Sequence, residues 1–415
     1  MQSKVPKIEG HALFYLHLKR GQIKDARIVG LQGERFTESL VRGRKYEDAP
    51  VITSRICGIC PTIHNLTSIR AIEEAFVVEV TKQTKAFRRL MLYGQMIQSH
   101  ALHLYLLVLP DYLGVDNAFL LQKSHPEHWR RAVNLKKFGD KIIETFAGRA
   151  THPISSVVGG FVKYPEMTKL DDLLAQSESA VEDSLMMLKL FANLTFPKLS
   201  RPSNYLALSG NNSYEIYQSK IKSTRGQSFD PQDYKNFVKE IIRPYTKTKF
   251  GLFENREFMV GAIARMNLSY KQLEPEVLKV MADLDIKPPF TSAFDNVIAQ
   301  AIETYNFCVL TEKEIEKIKT TGIKREFPEV KTQAGIGVGA CEAPRGTLYH
   351  QYEIDNKGIV IKCDIVTPTV QNLISLEKDI ELLWPEIKGL SEEEQIHKIE
   401  MLVRAYDPCI TCATQ

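Results

Sequence analysis

Four of the seven cysteines stand in two CxxC pairs that bracket almost the whole 415-residue sequence. Cys57 and Cys60 lie in SRICGICPTIH, and Cys409 and Cys412 lie in DPCITCATQ. Four thiols in two paired sets can converge on a metal, and if they do, the fold must return residues 409–412 to position 57. A structural zinc needs four thiolates in a closed tetrahedron. Zinc ribbons, however, keep their knuckles close in sequence and fill them with small polar residues, unlike RICGICPTIH and YDPCITC. A redox disulfide needs only one CxxC, usually opening the helix of a thioredoxin-like unit. On spacing alone a metal fits best, with zinc a serious competitor. Cys308, Cys341 and Cys363 lie outside both pairs and read as small buried apolar residues.

The pairs must be positioned by the elements around them. HALFYLHLKRGQIKDARIVGLQG alternates as two strands joined near Arg20-Gly21. ERFTESLVRGRKYEDAP reads as a short helix ending near Gly43, and Pro61 opens a helix running through His64, Ser68 and Ile72. Residues 84–109 have the pattern of a long interior helix closed by Pro110, on which His100 and His103 share a face as core histidines. Further helices are expected at 118–146, with a break at Pro126, and at 170–194, 270–284, 292–320, 370–384 and 391–406. The polar stretch 196–255 reads as surface loops and short helices. GIGVGACEAP reads as a loop followed by two strands around an Asp355-to-Gly358 turn. It lacks the GxGxxG spacing of a nucleotide-binding loop, and Pro344 stands where a helix should be under way. The expected fold is mainly α with small β insertions (α+β), forming one domain over 1–415. Its parts are a β segment at about 5–32, a helical core, a β insertion at about 330–369 and a metal-binding segment at 405–415.

Hydrophobic content of 44%, charged content of 25% and a net charge of +4 are those of an ordinary globular chain. No dense Lys/Arg stripe or nucleic-acid motif is present, which argues against nucleic acid as a partner. ALHLYLLVLP, the longest apolar patch, has about ten residues and contains His103, too short for a membrane span. With no signal sequence and too few cysteines for a disulfide scaffold, a cytoplasmic location is expected.

RICGICPTIH and DPCITC resemble the two signature motifs of the nickel–iron hydrogenase large subunit. Landmarks between them match in order: KIEGH at 7–11, GRATHP with GG at 148–160, EAPRG at 342–346, TPT with Asn372, and AYDPC at 405–409. SHALHLYLLVLPDY resembles the cytoplasmic, multimeric branch that exchanges electrons with soluble carriers. The likeness spans essentially the whole chain and implies a helical bundle around a buried metal site. It also implies reversible heterolytic cleavage of H2 to protons and electrons. By resemblance, Cys57, Cys60, Cys409 and Cys412 bind nickel, while Cys60 and Cys412 also bridge to an iron carrying CO and two cyanides. Soft thiolates suit nickel.

Two divalent metals against four thiolates and two cyanides leave about two negative charges in a buried site. Arg345, held by Pro344, matches the family's compensating cation. Thr369 resembles the hydroxyl residue that bonds a cyanide, and His64 resembles a donor to a cysteine sulfur. Asp111 and Asp407 resemble the carboxylates that surround the open metal position with Arg345; Asp407 also suits a turn before Pro408. Glu9 matches the first proton-relay carboxylate, beside Cys409. Glu38 resembles the ligand of a structural magnesium near the C-terminus. There the family usually places a histidine where this chain has Gln415, whose amide oxygen is a hard-cation donor; loss of the ion is equally open.

All four paired cysteines are used, so electrons must leave through a partner. By resemblance this is an iron–sulfur small subunit, followed by subunits serving NAD(P), a deazaflavin, ferredoxin or a heterodisulfide reductase module. A maturation peptidase is a further expected partner. An H2 sensor would carry the same metal site. A non-catalytic, complex-I-like subunit with a quinone cavity would typically have lost the four cysteines.

Overall fold

The computed structural model describes residues 1–33, 36–326 and 329–414. The N-terminal segment forms an antiparallel sheet of β1 (Gln2–Val5), β2 (Ala12–Lys19) and β3 (Gln22–Gly30), in that order. Because strand side chains alternate, Ala12, Phe14 and Leu16 turn inward together with Ala26 and Ile28. Arg20 and Gly21 both have positive φ (52° and 73°), the two-residue hairpin turn that matches strand twist.

The helical body follows. Short helices α1 (Thr37–Val41) and α2 (Ala49–Thr53) precede α3 (Pro61–Phe76), which is buried on nearly every side. α4 (Lys82–Leu102) passes through a wide π turn, His103–Val108, into α5 (Leu109–Leu113). Pro110 therefore does not close the helix, as its position suggested. A π turn just upstream relieves the clash that a proline ring makes with the preceding turn. α6 (Leu121–Ser124) and α7 (Pro126–Ala147) lead to a minimal hairpin, β4 (Ser156–Val157) with β5 (Gly160–Phe161), and then to α8 (Met167–Ala192).

Residues 196–255 depart from the loops and short helices expected of them. They form β6 (Leu206–Leu208), β7 (Ile221–Ser223) and β8 (Ser228–Phe229), then α9 (Tyr234–Phe237) and the hairpin β9 (Val238–Ile242) with β10 (Lys249–Phe253). Leu206, Leu208, Ile221, Phe229 and Phe253 are buried in a second core with Tyr349 and Val366. Strands of two to five residues are too short to display alternation against a polar background.

α10 (Ala262–Ser269), α11 (Pro275–Asp283) and the long α12 (Asp295–Thr321) complete the body, with α4, α7, α8 and α12 packed together. A three-stranded antiparallel sheet then runs β11 (Gly335–Ala343), β12 (Gly346–Ile354) and β13 (Val360–Val366). GIGVGACEA is thus a strand, not a loop, and its glycines have a packing cause. A Cβ on Gly335, Gly337 or Gly339 would stand 2.2, 2.1 or 2.2 Å from the carbonyl oxygens of Ala75, Ala71 and Thr67. The strand lies directly on the backbone of α3, which only glycine permits. α13 (Pro368–Ile387), α14 (Glu392–Ala405) and the short α15 (Ile410–Ala413) end the described chain. The largest core cluster runs from Val5 to Cys412. The architecture is mainly helical with small sheets, as expected. No single helix among the described residues is long and apolar enough to cross a membrane.

Candidate metal centre

The two CxxC pairs meet. Cys57 lies in the loop entering α3 and Cys60 caps that helix; Cys409 caps α15 and Cys412 lies within it. All four are at most 5% exposed. Sγ of Cys57 is 3.5 Å from that of Cys409, Cys60 is 3.6 Å from Cys412, and Cys409 is 2.9 Å from Cys412. No cysteine is in a disulfide. Among the described residues, two overlapping sets have metal-ligand spacing: Cys57, Cys409 and Cys412, and Cys60, His64 and Cys412. Cys412 belongs to both.

Four buried thiols so close cannot all ionise without a cation among them. Hydrogen bonds from Cys409, Cys412 and Cys60 pull the Cys57 thiol down, whereas burial pushes Cys409 well up. Soft sulfur donors fit a thiophilic metal such as nickel. The second set joins Cys60 and Cys412 with the imidazole of His64.

The supporting bonds come from distant elements. Gln95 on α4 donates to the Ile59 carbonyl at 2.6 Å and accepts from the Thr62 N–H at 3.3 Å, bracing the first CxxC loop. At the start of α13, the Thr369 hydroxyl accepts from the Cys409 N–H at 3.0 Å, and the Thr367 hydroxyl donates to the Cys412 carbonyl at 3.1 Å. Glu9 pairs through its backbone with Cys409, in an isolated parallel bridge. Its carboxylate accepts from the Cys409 Sγ at 2.9 Å and the Thr411 N–H at 3.1 Å, and also bonds the Thr411 hydroxyl. Nε2 of His64 lies 3.8 Å from the Cys412 Sγ, and its Nδ1 lies 3.1 Å from Nε2 of His350. Burial, then the neighbouring His64, holds His350 well below the usual imidazole range, so it stays neutral.

Arg345 is the second residue of a two-residue turn between β11 and β12, with Pro344 before it and Ala343 paired to Gly346. Its Nε and Nη2 donate to the carbonyl and the Oδ1 of Asp407 at 3.0 and 2.8 Å, and its Nη1 donates to the Ser99 hydroxyl at 3.1 Å. Burial opposes its charge, but Asp407 and the cysteines Cys409, Cys60 and Cys57 hold the guanidinium firmly protonated. Asp407 stands just before Pro408 and beside Arg345. It turns the chain with a φ of 50°, and its carboxylate pairs with Arg345 and accepts from Gln300 at 3.0 Å.

Asp111 is not where the motif suggested. Its carboxylate is buried between Lys7 and Arg404, the latter at 2.5 Å, and Ser99 occupies the place beside Arg345. Asp111 stands about three turns beyond Ser99 along the same helical run, out of reach of the Arg345 guanidinium that Ser99 meets. Glu38 accepts from the Ile365 N–H at 3.0 Å and pairs with Lys249 at 3.4 Å. Gln415 lies outside the described residues; Glu38 itself lines a pocket with Gln351, Glu353 and Asp364.

Ser99, Gln95, Gln300 and His350 escaped the sequence reading. His103 is bonded through Nδ1 to Gln300 at 2.5 Å and through Nε2 to the Arg404 carbonyl at 2.7 Å. The only advance signal for Ser99 was its place one residue before His100 on the inward face of α4.

A family model described as nickel-dependent hydrogenase matches residues 35–126 and 208–415. The chain is 33% identical over 413 residues to the alpha subunit of sulfhydrogenase 2 of Pyrococcus furiosus, covering 98% of this chain and 96% of that one. It is 30% identical over 442 residues to the corresponding subunit of the F420-non-reducing hydrogenase of Methanothermobacter marburgensis, covering 99% and 93%. Among solved structures, an NAD+-reducing [NiFe]-hydrogenase in the H2-reduced state superposes with a TM-score of 0.90 at 27% identity, over 100% of this chain and 99% of that one.

Proposed function

Because the chain belongs to the nickel-dependent hydrogenase family, as a large catalytic subunit, we propose that Cys57, Cys60, Cys409 and Cys412 are its nickel ligands. Cys60 and Cys412 also bind an iron that carries CO and two cyanides. The observation that carries this reading is the meeting of four thiols from the two ends of the sequence, with Cys412 shared between two ligand sets. When bound, the metal pair supplies the electron sink for splitting H2 into two protons and two electrons.

The protein's own groups then have separable tasks. Arg345 sets a fixed positive charge against the thiolates, anchored by Asp407 and Ser99, so compensation needs no reorganisation during the reaction. Thr369 and His64 orient the ligands; the hydroxyl of Thr369 keeps its own proton free to donate while it accepts from Cys409. Pro344 fixes the backbone ahead of Arg345. Glu9 takes the proton: its Oε2 is 2.9 Å from the Cys409 sulfur, and its bonds to Thr411 hold the carboxylate still. Asp111, engaged by Lys7 and Arg404, carries no step in this reading. Magnesium enters only through Glu38 and Gln415, and no step depends on it.

Electrons leave through an iron–sulfur small subunit, then through further carrier-coupled subunits. The names of the F420-non-reducing and NAD-reducing relatives support such coupling. Action as one cytoplasmic domain, matured by a peptidase, completes the reading; the core cluster from Val5 to Cys412 supports the single domain. Metal analysis with infrared spectroscopy on the purified complex tests it. Nickel and iron in equal amounts, with CO and cyanide stretching bands, are expected; zinc alone without such bands refutes it.

A further inference from the structure

Arg265 on α10 is fully buried and lies on the far side of the turn that carries Arg345. Its Nε and Nη2 grip Glu303 in a bidentate pair at 2.5 and 2.7 Å, and its Nη1 reaches Glu342 at 2.7 Å. The same guanidinium donates to the carbonyl of Ala343 at 2.9 Å and to that of Pro344 at 3.4 Å. The carbonyl of Arg345 itself is taken by Nδ2 of Asn372 at 3.4 Å. Three successive carbonyls of the turn are thus held by side chains from behind, while the Arg345 side chain is held in front by Asp407 and Ser99.

A cluster of this kind is a poor stabiliser. Burying one guanidinium and two carboxylates carries a desolvation cost that pairing must first offset, and apolar residues of equal volume often do as well. Glu303 is fully satisfied: it also accepts from Tyr214 at 2.5 Å, and Nε2 of His100 lies 2.9 Å from its Oε2. Burial opposes its charge, yet Arg265 and His100 hold it at about 2. Glu342, the first residue of the EAPRG motif, accepts from the Leu208 N–H at 2.9 Å and the Thr347 hydroxyl at 2.6 Å. What this arrangement provides is a planar, multiply bonded fork that cannot rotate, fixed to three elements and presented to the backbone just ahead of Arg345.

We propose that Arg265, locked between Glu303 and Glu342, is a positioning residue for Arg345. By holding the Ala343 and Pro344 carbonyls it sets where the Arg345 guanidinium stands over the cysteine cluster. This rests on the assignment of Arg345 as the charge that faces the metals. Lysine at 265 keeps the charge but is a single point donor that cannot span both carboxylates and both carbonyls. A misplacement of about 1 Å at a reacting group can cost about 10²-fold in rate.

The test compares Arg265→Lys, Arg345→Lys and the parent in the purified complex. Expected for Arg265→Lys are unchanged nickel content and a crystal structure in which the Arg345 guanidinium has moved off Asp407. Cyanide infrared bands should shift and H2 oxidation should fall about 10²-fold, in kcat more than in KM. Parental bands, parental turnover and an unmoved Arg345 in Arg265→Lys, with Arg345→Lys inactive, overturn the inference alone. Unaltered turnover in Arg345→Lys overturns the underlying assignment. If Arg265→Lys does not accumulate with nickel, Glu342→Gln decides, because the isosteric amide keeps the Leu208 N–H bond but gives up the ion pair that locks the Arg265 fork. Band shift and loss of turnover support the clamp, and parental behaviour overturns it.

Discussion

Replacing Glu9 by Gln isolates proton transfer from everything else at the site. The amide has the same shape, its oxygen can still accept from the Thr411 N–H, and its NH2 can meet the Thr411 hydroxyl as a donor. What it cannot do is accept a proton from the Cys409 sulfur, 2.9 Å away. The half-buried position, the backbone bridge to Cys409 and the Ile410 N–H bond to the Glu9 carbonyl at 3.0 Å all survive the change. A positioned acid–base group contributes about 10²–10⁴-fold, or about 2.7–5.4 kcal/mol of barrier. H2 oxidation with an artificial electron acceptor should therefore fall by about 10²-fold or more. Nickel content and the CO and cyanide bands should stay those of the parent. Turnover within about twofold of the parent, at equal nickel content, refutes the relay. Loss of nickel would instead make Glu9 a structural support of the Cys409 segment.

Arg345→Lys keeps the charge but gives up simultaneous bonding to Asp407 and Ser99. H2 turnover should drop about 10²–10³-fold with nickel retained, measured by hydrogen uptake beside metal analysis. Glu377 is raised to about 7, by burial against its bonds to the Ile28 N–H and Tyr245 and the charge of Arg243. Its folded pKa thus exceeds the ordinary 4.5, so the native state holds the proton longer and parental stability falls as pH rises from about 4.5 to 7. Glu377→Gln should be more stable than the parent at pH 8, by up to about 3 kcal/mol, with no gain at pH 4; melting temperatures at the two pH values check this. Gly337→Ala would set a Cβ 2.1 Å from the Ala71 carbonyl. Strand and helix must part, at a cost of about 1–3 kcal/mol or more, visible as a lower melting temperature.

What was legible in the sequence was chemistry tied to local spacing. Two CxxC pairs, a Pro that opens a helix after Cys60 and an alternating hairpin around Arg20-Gly21 each depend on neighbours within a few residues. The misses all involve relations across elements. Asp111 carried the right chemistry for a partner of Arg345, but it stands about three turns beyond Ser99 on the same helical run, and Lys7 and Arg404 take its carboxylate. Ser99 and Gln300 reach Arg345 and Asp407 from α4 and α12, and beyond the place of Ser99 beside His100 nothing near either residue announces it. The stretch 196–255 hid its strands because they are only two to five residues long, and core partners such as Tyr349 and Val366 lie about a hundred residues or more on.

The glycines of GIGVG join these observations. The motif resembled a failed nucleotide loop, yet each glycine marks a point where a strand meets helix backbone without side chains between. α3 begins at Cys60, and β11 ends at the turn bearing Arg345. At that turn Gly346 and Gly261 repeat the device: a Cβ on Gly346 would lie 2.8 Å from the Gly261 nitrogen, and one on Gly261 would lie 3.1 Å from the Arg345 carbonyl oxygen. The separation between the first cysteine pair and the compensating cation is therefore set by backbone against backbone. Side chains can change rotamer to absorb an error of a few tenths of an ångström, but backbone contacts cannot, and close-packed interiors transmit the displacement. The tolerance of the site is thus decided along a seam that reaches from Ala75 to Arg345, most of it well away from any sulfur.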